Sequence, residues 1–207
     1  MLRTRAVNSR WRSMPNVAPA LKGHSKTLAQ VIRLCFGRAT MRGVAKKAAE
    51  RTRPRIGDVI EIETPKGLAY AHYTHRHQDP PRYGALLRVL PGLHARRPSD
   101  FAPIVEQDDR FCVFFPLGAA ANRGLVRIVA NAVIPDAKQA FPVFRSRVIV
   151  GDQVGPWKIW AGTTERSARR GDRWTRHAVR QVWNDALLID RIASGWSPDD
   201  DPRLSSD

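Results

Sequence analysis

From residue 56 the chain changes period, and the change restricts the folds open to it. "GDVIEIE" alternates Ile60 and Ile62 with Glu61 and Glu63, the pattern of a strand with one face buried. "TPKG" follows, with Pro65 fixing one backbone position and Gly67 freeing another. "LAYAHYTH" then returns as a second strand, so 57–75 predicts a β-hairpin. Pro80 and Pro81 break the chain after it.

More short strands follow between turn signals. "GALLRVLPG" is a third strand, closed by Pro91 and Gly92. "SDFAPIVEQ" predicts a short helix capped by Ser99 or Asp100. "RFCVFFPLG" is a fourth strand, expected at the centre. "GLVRIVANAVIP" is a fifth, entered through the "NRG" turn at 122–124. "PLGAAANRG" itself reads as a strand-to-strand turn. Five such strands predict a mostly-β (α+β) domain, a strongly bent antiparallel sheet or a small barrel. Past residue 140 the text is loop-rich, with "QVW" at 181–183 a candidate last strand. "DALLIDRIAS" predicts a C-terminal helix capped by Asn184 or Asp185 and stopped at Gly195, with Pro198 beyond.

Charge separates this domain from what precedes it. The 207-residue chain carries a net +16. Residues 1–56 hold 14 Lys and Arg against one acid, whereas 57–207 hold 21 against 18. The expected organisation is a basic, partly helical or disordered extension at 1–55, a mostly-β domain at 56–198 and a disordered tail at 199–207. Within the extension, "SKTLAQVIRLCFGR" places Leu28, Val31, Ile32, Cys35 and Phe36 at helical spacing. An organelle transit peptide, a basic arm for an anionic surface, and an upstream extension dispensable for folding (Met41 an alternative start) remain open. The near-neutral remainder has no strong footprint for a phosphate backbone. No apolar run approaches the roughly 18 residues of a membrane span. The two cysteines, Cys35 and Cys112, read as buried free thiols in a reducing, cytoplasmic compartment.

The chemistry-bearing residues are few. "AHYTHRHQDP" places His72, His75 and His77 within six residues. On a regular strand, side chains alternate, which sets His75 and His77 on one face with Tyr73 and His72 on the other. A zinc site needs converging ligands; His75 and His77 are the only pair fit for one, as in a metal-dependent hydrolase, and neither His94 nor His177 has spacing that recommends it. The expectation is no metal and no cofactor. Cys112 sits among Phe111, Val113, Phe114 and Phe115, where a thiol is inert. Glu61 with Glu63 reads as a solvated pair on an edge-like strand, and Glu106, Asp108 and Asp109 as a solvated loop. No catalytic set emerges, and the expectation is that the chain is not an enzyme. Trp183 and Trp196 are expected in the core. Trp157 and Trp160, with Tyr73, His75, His77, Arg82 and Tyr83, are candidates for a partner-binding surface, since Trp, Tyr and Arg dominate binding hot spots.

Taken in order, "GDVIEIETPKGLAYAHYTH", "YGALLRVLPG", "RFCVFFPLGAA", "VANAVIP" and "VWNDALLIDRIASGWSP" resemble the immunity protein 26 family of bacterial polymorphic toxin systems, over about residues 56–198. The resemblance implies a mostly-β intracellular protein that binds and neutralises a cognate protein toxin, without catalysis. Immunity partners of basic nucleases often imitate nucleic acid with acidic surfaces, and the near-neutral domain here does not. The competing expectation is a nucleic-acid-binding small β-barrel with a basic N-terminal arm, on which Tyr70, Tyr73 and Tyr83 stack bases.

Overall fold

Alternation builds the hairpin as expected. β1 (Asp58–Thr64) and β2 (Gly67–His77) pair antiparallel with Val59 opposite His72 and Thr64 opposite Gly67. The Thr64 hydroxyl closes the turn by donating to the Gly67 carbonyl at 2.7 Å. Gly67 has φ +129°, and a Cβ there would stand 3.0 Å from the His94 carbonyl oxygen; both facts require glycine. The computed structural model describes residues 53–169, 171–202 and 204. The expectations for the extension fall, for residues 1–52, outside them.

β3 (Gly84–Val89) and β4 (Phe111–Phe115) extend the hairpin on one side and β5 (Arg127–Asn131) on the other, giving a five-stranded sheet in the order β4-β3-β2-β1-β5. All of its pairings are antiparallel. β1 is therefore interior rather than edge-like. The sheet stays open, so the barrel alternative is corrected. The outer edge of β4 meets an isolated parallel bridge from Val182 to Phe114 instead of β5. "QVW" is accordingly a single bridge and not a strand.

One face of the sheet carries the main core. Ile60, Ile62, Ala71, Leu87, Val113 and Phe115 pack there against Trp183, Leu188, Ile192 and Trp196. The last three flank or belong to α3 (Asp185–Ser194), and Asn184 caps that helix by accepting from the Leu187 N–H. Gly195 ends it in the left-handed region at φ +80°. The other face is covered in two patches. α1 (Ala102–Val105) brings Ile104 and Val105 against Val59, Tyr70 and Leu90; Phe101, not Ser99 or Asp100, takes the N-cap position, and the Asp100 carboxylate accepts from the Ala102 N–H at 2.9 Å. The second patch buries Leu86 and Phe114 against Phe144 and Trp160.

Three elements depart from the sequence reading. The stretch after β4 is a short helix, α2 (Leu117–Asn122), favoured by its three alanines. The loop-rich text past 140 contains β6 (Phe144–Ser146), a small hairpin of β7 (Ile149–Val150) and β8 (Gln153–Val154), then β9 (Lys158–Ala161) and β10 (Thr164–Ser167). β10-β9-β6 form a second sheet. The tail is also part of the fold through Asp201. A 3-10 turn at Pro198–Asp200 leads into Asp201, which is 3% exposed and 3.3 Å from the Arg145 guanidinium.

Candidate functional site

The histidine cluster is rearranged by one residue. Tyr73 lies opposite Leu87 and His75 opposite Leu86, so Thr74 is an extra residue in β2. This β-bulge resets the alternation. His75 and His77 therefore share a face with His72 and not with Tyr73, which corrects the expected split. Their side chains still do not converge. Nε2 of His72 lies 3.2 Å from the Gly57 carbonyl oxygen and 3.3 Å from that of Ala132. His75 reaches the Gln139 carbonyl oxygen at 2.8 Å and the Thr74 hydroxyl at 2.9 Å. His77 is buried, edge-on to Trp160 at 5.1 Å. Among the described residues no three His, Cys, Asp or Glu side chains gather to hold a metal ion.

Burial holds the His72 pKa down, and the nearby Lys138 and Arg88 cations add to the effect. His75 and His177 are lowered as well, each mainly by burial. A depressed histidine is neutral in the folded protein while the unfolded chain takes up its proton below about pH 6.5. Stability is therefore full above that pH and falls as the pH drops through it. The expected result is a urea midpoint that declines from pH 7.5 toward pH 5, with a flatter decline in His72→Gln. Identical slopes for the two proteins would remove His72 as a cause.

The carboxylates divide differently from the expected solvated pair. Glu63 is exposed, but Glu61 is 2% exposed, because β1 is interior. Arg97 grips both Glu61 oxygens at 2.7 Å, and the Tyr70 hydroxyl donates to Oε2 at 3.1 Å. The Arg97 hydrogen bond holds the Glu61 pKa below the usual carboxylate range. Burial, with Glu61 beside it, pushes the Tyr70 pKa up to about 12. This carboxylate is ionised and fully occupied as an acceptor, an anchor for the 90–100 loop. Cys112 is a buried free thiol, as expected, and donates to Asp109 at 3.1 Å. Burial pushes its pKa well up, which leaves it protonated and unreactive.

The proposed contact surface is also redrawn. Trp157 and Trp160 are 7% and 6% exposed and Tyr73 is 5% exposed, so none presents a binding surface. The stretch "KIWA" is β9, a strand with an inward face. Trp157 stacks on Trp174 at 5.3 Å with the Arg147 guanidinium 4.5 Å above its ring. Trp160 packs among His77, Tyr83, Phe141 and Phe144, with Arg180 over it at 5.0 Å. Trp183 and Trp196 are core residues, as expected.

Arg82 and Tyr83 remain at the surface, and a groove of about 480 Å³ brings them together with Arg76. Tyr73, Ala85, Phe115 and Leu117 contribute apolar lining, and Val182, 49% exposed, lines it as well. The bulge turns Arg76 to this side, opposite Ala85. Sequence parity hid Arg76 between two histidines. Both arginines are exposed, and neither has a carboxylate partner among the described residues. The lining contains no Asp or Glu. Tyr83 borders the groove, with its ring fixed by stacking on Phe114 of the cluster on the other face, centroids 4.8 Å apart. A second opening of about 540 Å³ includes His75, Gln139 and Val133 but no Lys, Arg, Asp or Glu. The charged groove is the better-equipped binding site.

Comparison with protein-family models, curated proteins and solved structures gives no match to this chain. Among the described residues no helix is long and apolar enough to cross a membrane.

Proposed function

We propose that the chain is an immunity protein, one that binds and neutralises a cognate protein toxin of a polymorphic toxin system in the cytoplasm. The mechanism is steric: the bound domain occludes the toxin's active site or substrate channel, and the chain performs no chemistry. The observation that carries the reading is the groove of Arg76, Arg82 and Tyr83. Guanidinium groups with no carboxylate partner among the described residues, beside a ring held by stacking, are hot-spot chemistry, and the stacked ring has little ordering entropy left to lose on binding. His72, His75 and Glu61, engaged in structural hydrogen bonds, and His77, packed among aromatic rings, support binding over catalysis. The five strings that resemble the immunity family lie in β1–β2, β3, β4–α2, β5 and α3, and so cover the main sheet and its helix. The nucleic-acid reading is weaker because Tyr70 and Tyr73 are buried, which leaves Tyr83 alone as a stacking platform.

The test is co-expression with the toxin domain encoded beside this gene, read as rescue of growth and as a stable complex on purification. Arg82→Ala with Tyr83→Ala is expected to weaken that complex about 1000-fold, each anchor contributing roughly 2 kcal/mol. Failure to bind any toxin encoded nearby overturns the reading.

A further inference from the structure

We infer that the Arg76–Arg82 groove receives an acidic, aliphatic stretch of a protein partner. Carboxylates sit on the two guanidinium groups, and an aliphatic side chain fills the apolar floor. The inference rests on the immunity reading and specifies the chemistry that the partner must present.

Charge complementarity carries the argument. The groove brings two exposed arginines, unpaired among the described residues, to one opening lined by no acid. Guanidinium groups in this state favour carboxylate or phosphate, which they grip through two parallel hydrogen bonds. The floor selects between these. Val182, 49% exposed, and the partly exposed Ala85 offer carbon surface beside the charges, backed by the buried Tyr73, Phe115 and Leu117, which suits an aliphatic side chain. A nucleic-acid backbone needs a longer cationic track, and residues 57–207 are almost neutral, with 21 Lys and Arg against 18 acids. A volume of about 480 Å³ suits a few side chains of one extended segment.

The groove also admits a clean steric block. Gly118 lines it, and a Cβ built there meets nothing within 4 Å. Gly118 has no positive φ and sits in α2, so a side chain at this position enters the groove without straining the backbone.

The experiment titrates the full chain with a fluorescein-labelled decapeptide of alternating Glu and Leu, read by anisotropy at low and high salt. A Gln–Leu decapeptide and an oligo-dT strand of similar length are the other arms. The expected result is saturable, salt-sensitive binding of the Glu–Leu peptide. It weakens on the order of tenfold for Arg76→Gln and again for Arg82→Gln, about one lost charge-assisted contact each. Gly118→Trp abolishes it with the circular dichroism and thermal midpoint unchanged. Equal binding of the Gln–Leu peptide overturns the inference, as does tighter binding of oligo-dT lost in the same variants, or no binding of the Glu–Leu peptide. The two proposals fail separately. A toxin held equally by wild type and the arginine variants overturns the inference and leaves the immunity reading standing. Peptide binding without any cognate toxin overturns the immunity reading and leaves the groove chemistry standing.

Discussion

Arg145→Met is expected to cost about 3–5 kcal/mol of folding free energy, the usual loss when one partner of a buried ion pair is removed. The Arg145 side chain is 0% exposed and that of Asp201 2%. One Nη donates to the Thr175 carbonyl and the other to that of Pro198 at 2.8 Å. The backbone on either side is also engaged: the Arg145 N–H donates to the Ala178 carbonyl at 3.0 Å, and its carbonyl accepts from the Arg180 N–H at 2.8 Å. One residue therefore binds β6, the 174–180 segment and the C-terminal turn together. Methionine fills similar volume but leaves the buried Asp201 carboxylate, the buried Pro198 carbonyl and the partly buried Thr175 carbonyl without this donor. Urea unfolding checks the loss as a shift in midpoint at constant m. Arg145→Lys, which keeps the charge but loses the planar fork, is expected to fall between wild type and Arg145→Met. A loss below about 1 kcal/mol for Arg145→Met would mean that this clasp does not hold the tail.

The same residue shows where the sequence stops being legible. The hairpin, β3, β4 and α3 are local: their period, turns and caps lie within a few residues, and the structure keeps their spans nearly as expected, although β4 is an edge strand rather than the central one. Features set by distant partners are not local. Glu61 alternates as a solvent-facing residue, but β5 pairs on the far side of β1, and Arg97 arrives from 36 positions away to neutralise it. β6 and β9 are only three and four residues long and neither has a readable period; β9 takes its hydrogen bonds from β10 and β6, and β6 pairs with β9 across the intervening 147–157 stretch. "DDDP" reads as a polar tail, since nothing in it announces that Asp201 meets a buried guanidinium. The bulge at Thr74 is the most consequential omission. A single unpaired residue returns the histidines to one face and Arg76 to the other, so the candidate site changes from an imidazole cluster to an arginine groove. Arg82 and Tyr83 were legible because a turn between two strands exposes its residues whatever the register.

Trp160→Ala separates the corrected reading from the original one. A surface hot spot would lose affinity and keep its stability. Trp160 instead is expected to cost about 3–5 kcal/mol of folding free energy, the range for large aromatic deletions in a core. Its ring is 6% exposed. It touches His77 at 5.1 Å, Phe141 at 5.4 Å and Phe144 at 5.9 Å between ring centroids, and Arg180 lies 5.0 Å over its face. Truncation to alanine opens a cavity between the two sheets that these rigid rings cannot refill. Trp160→Phe, which keeps an aromatic body, is expected to recover more than half of the loss. Tyr83, half-buried on the near side of the same cluster at 5.7 Å from Trp160, provides the contrast. Tyr83→Ala is expected to cost clearly less stability than Trp160→Ala and to act chiefly on binding at the groove. Paired unfolding and binding measurements on the two variants decide the assignment. If Trp160→Ala leaves the urea midpoint unchanged while weakening the complex, the indole faces the partner and its place between the sheets is wrong.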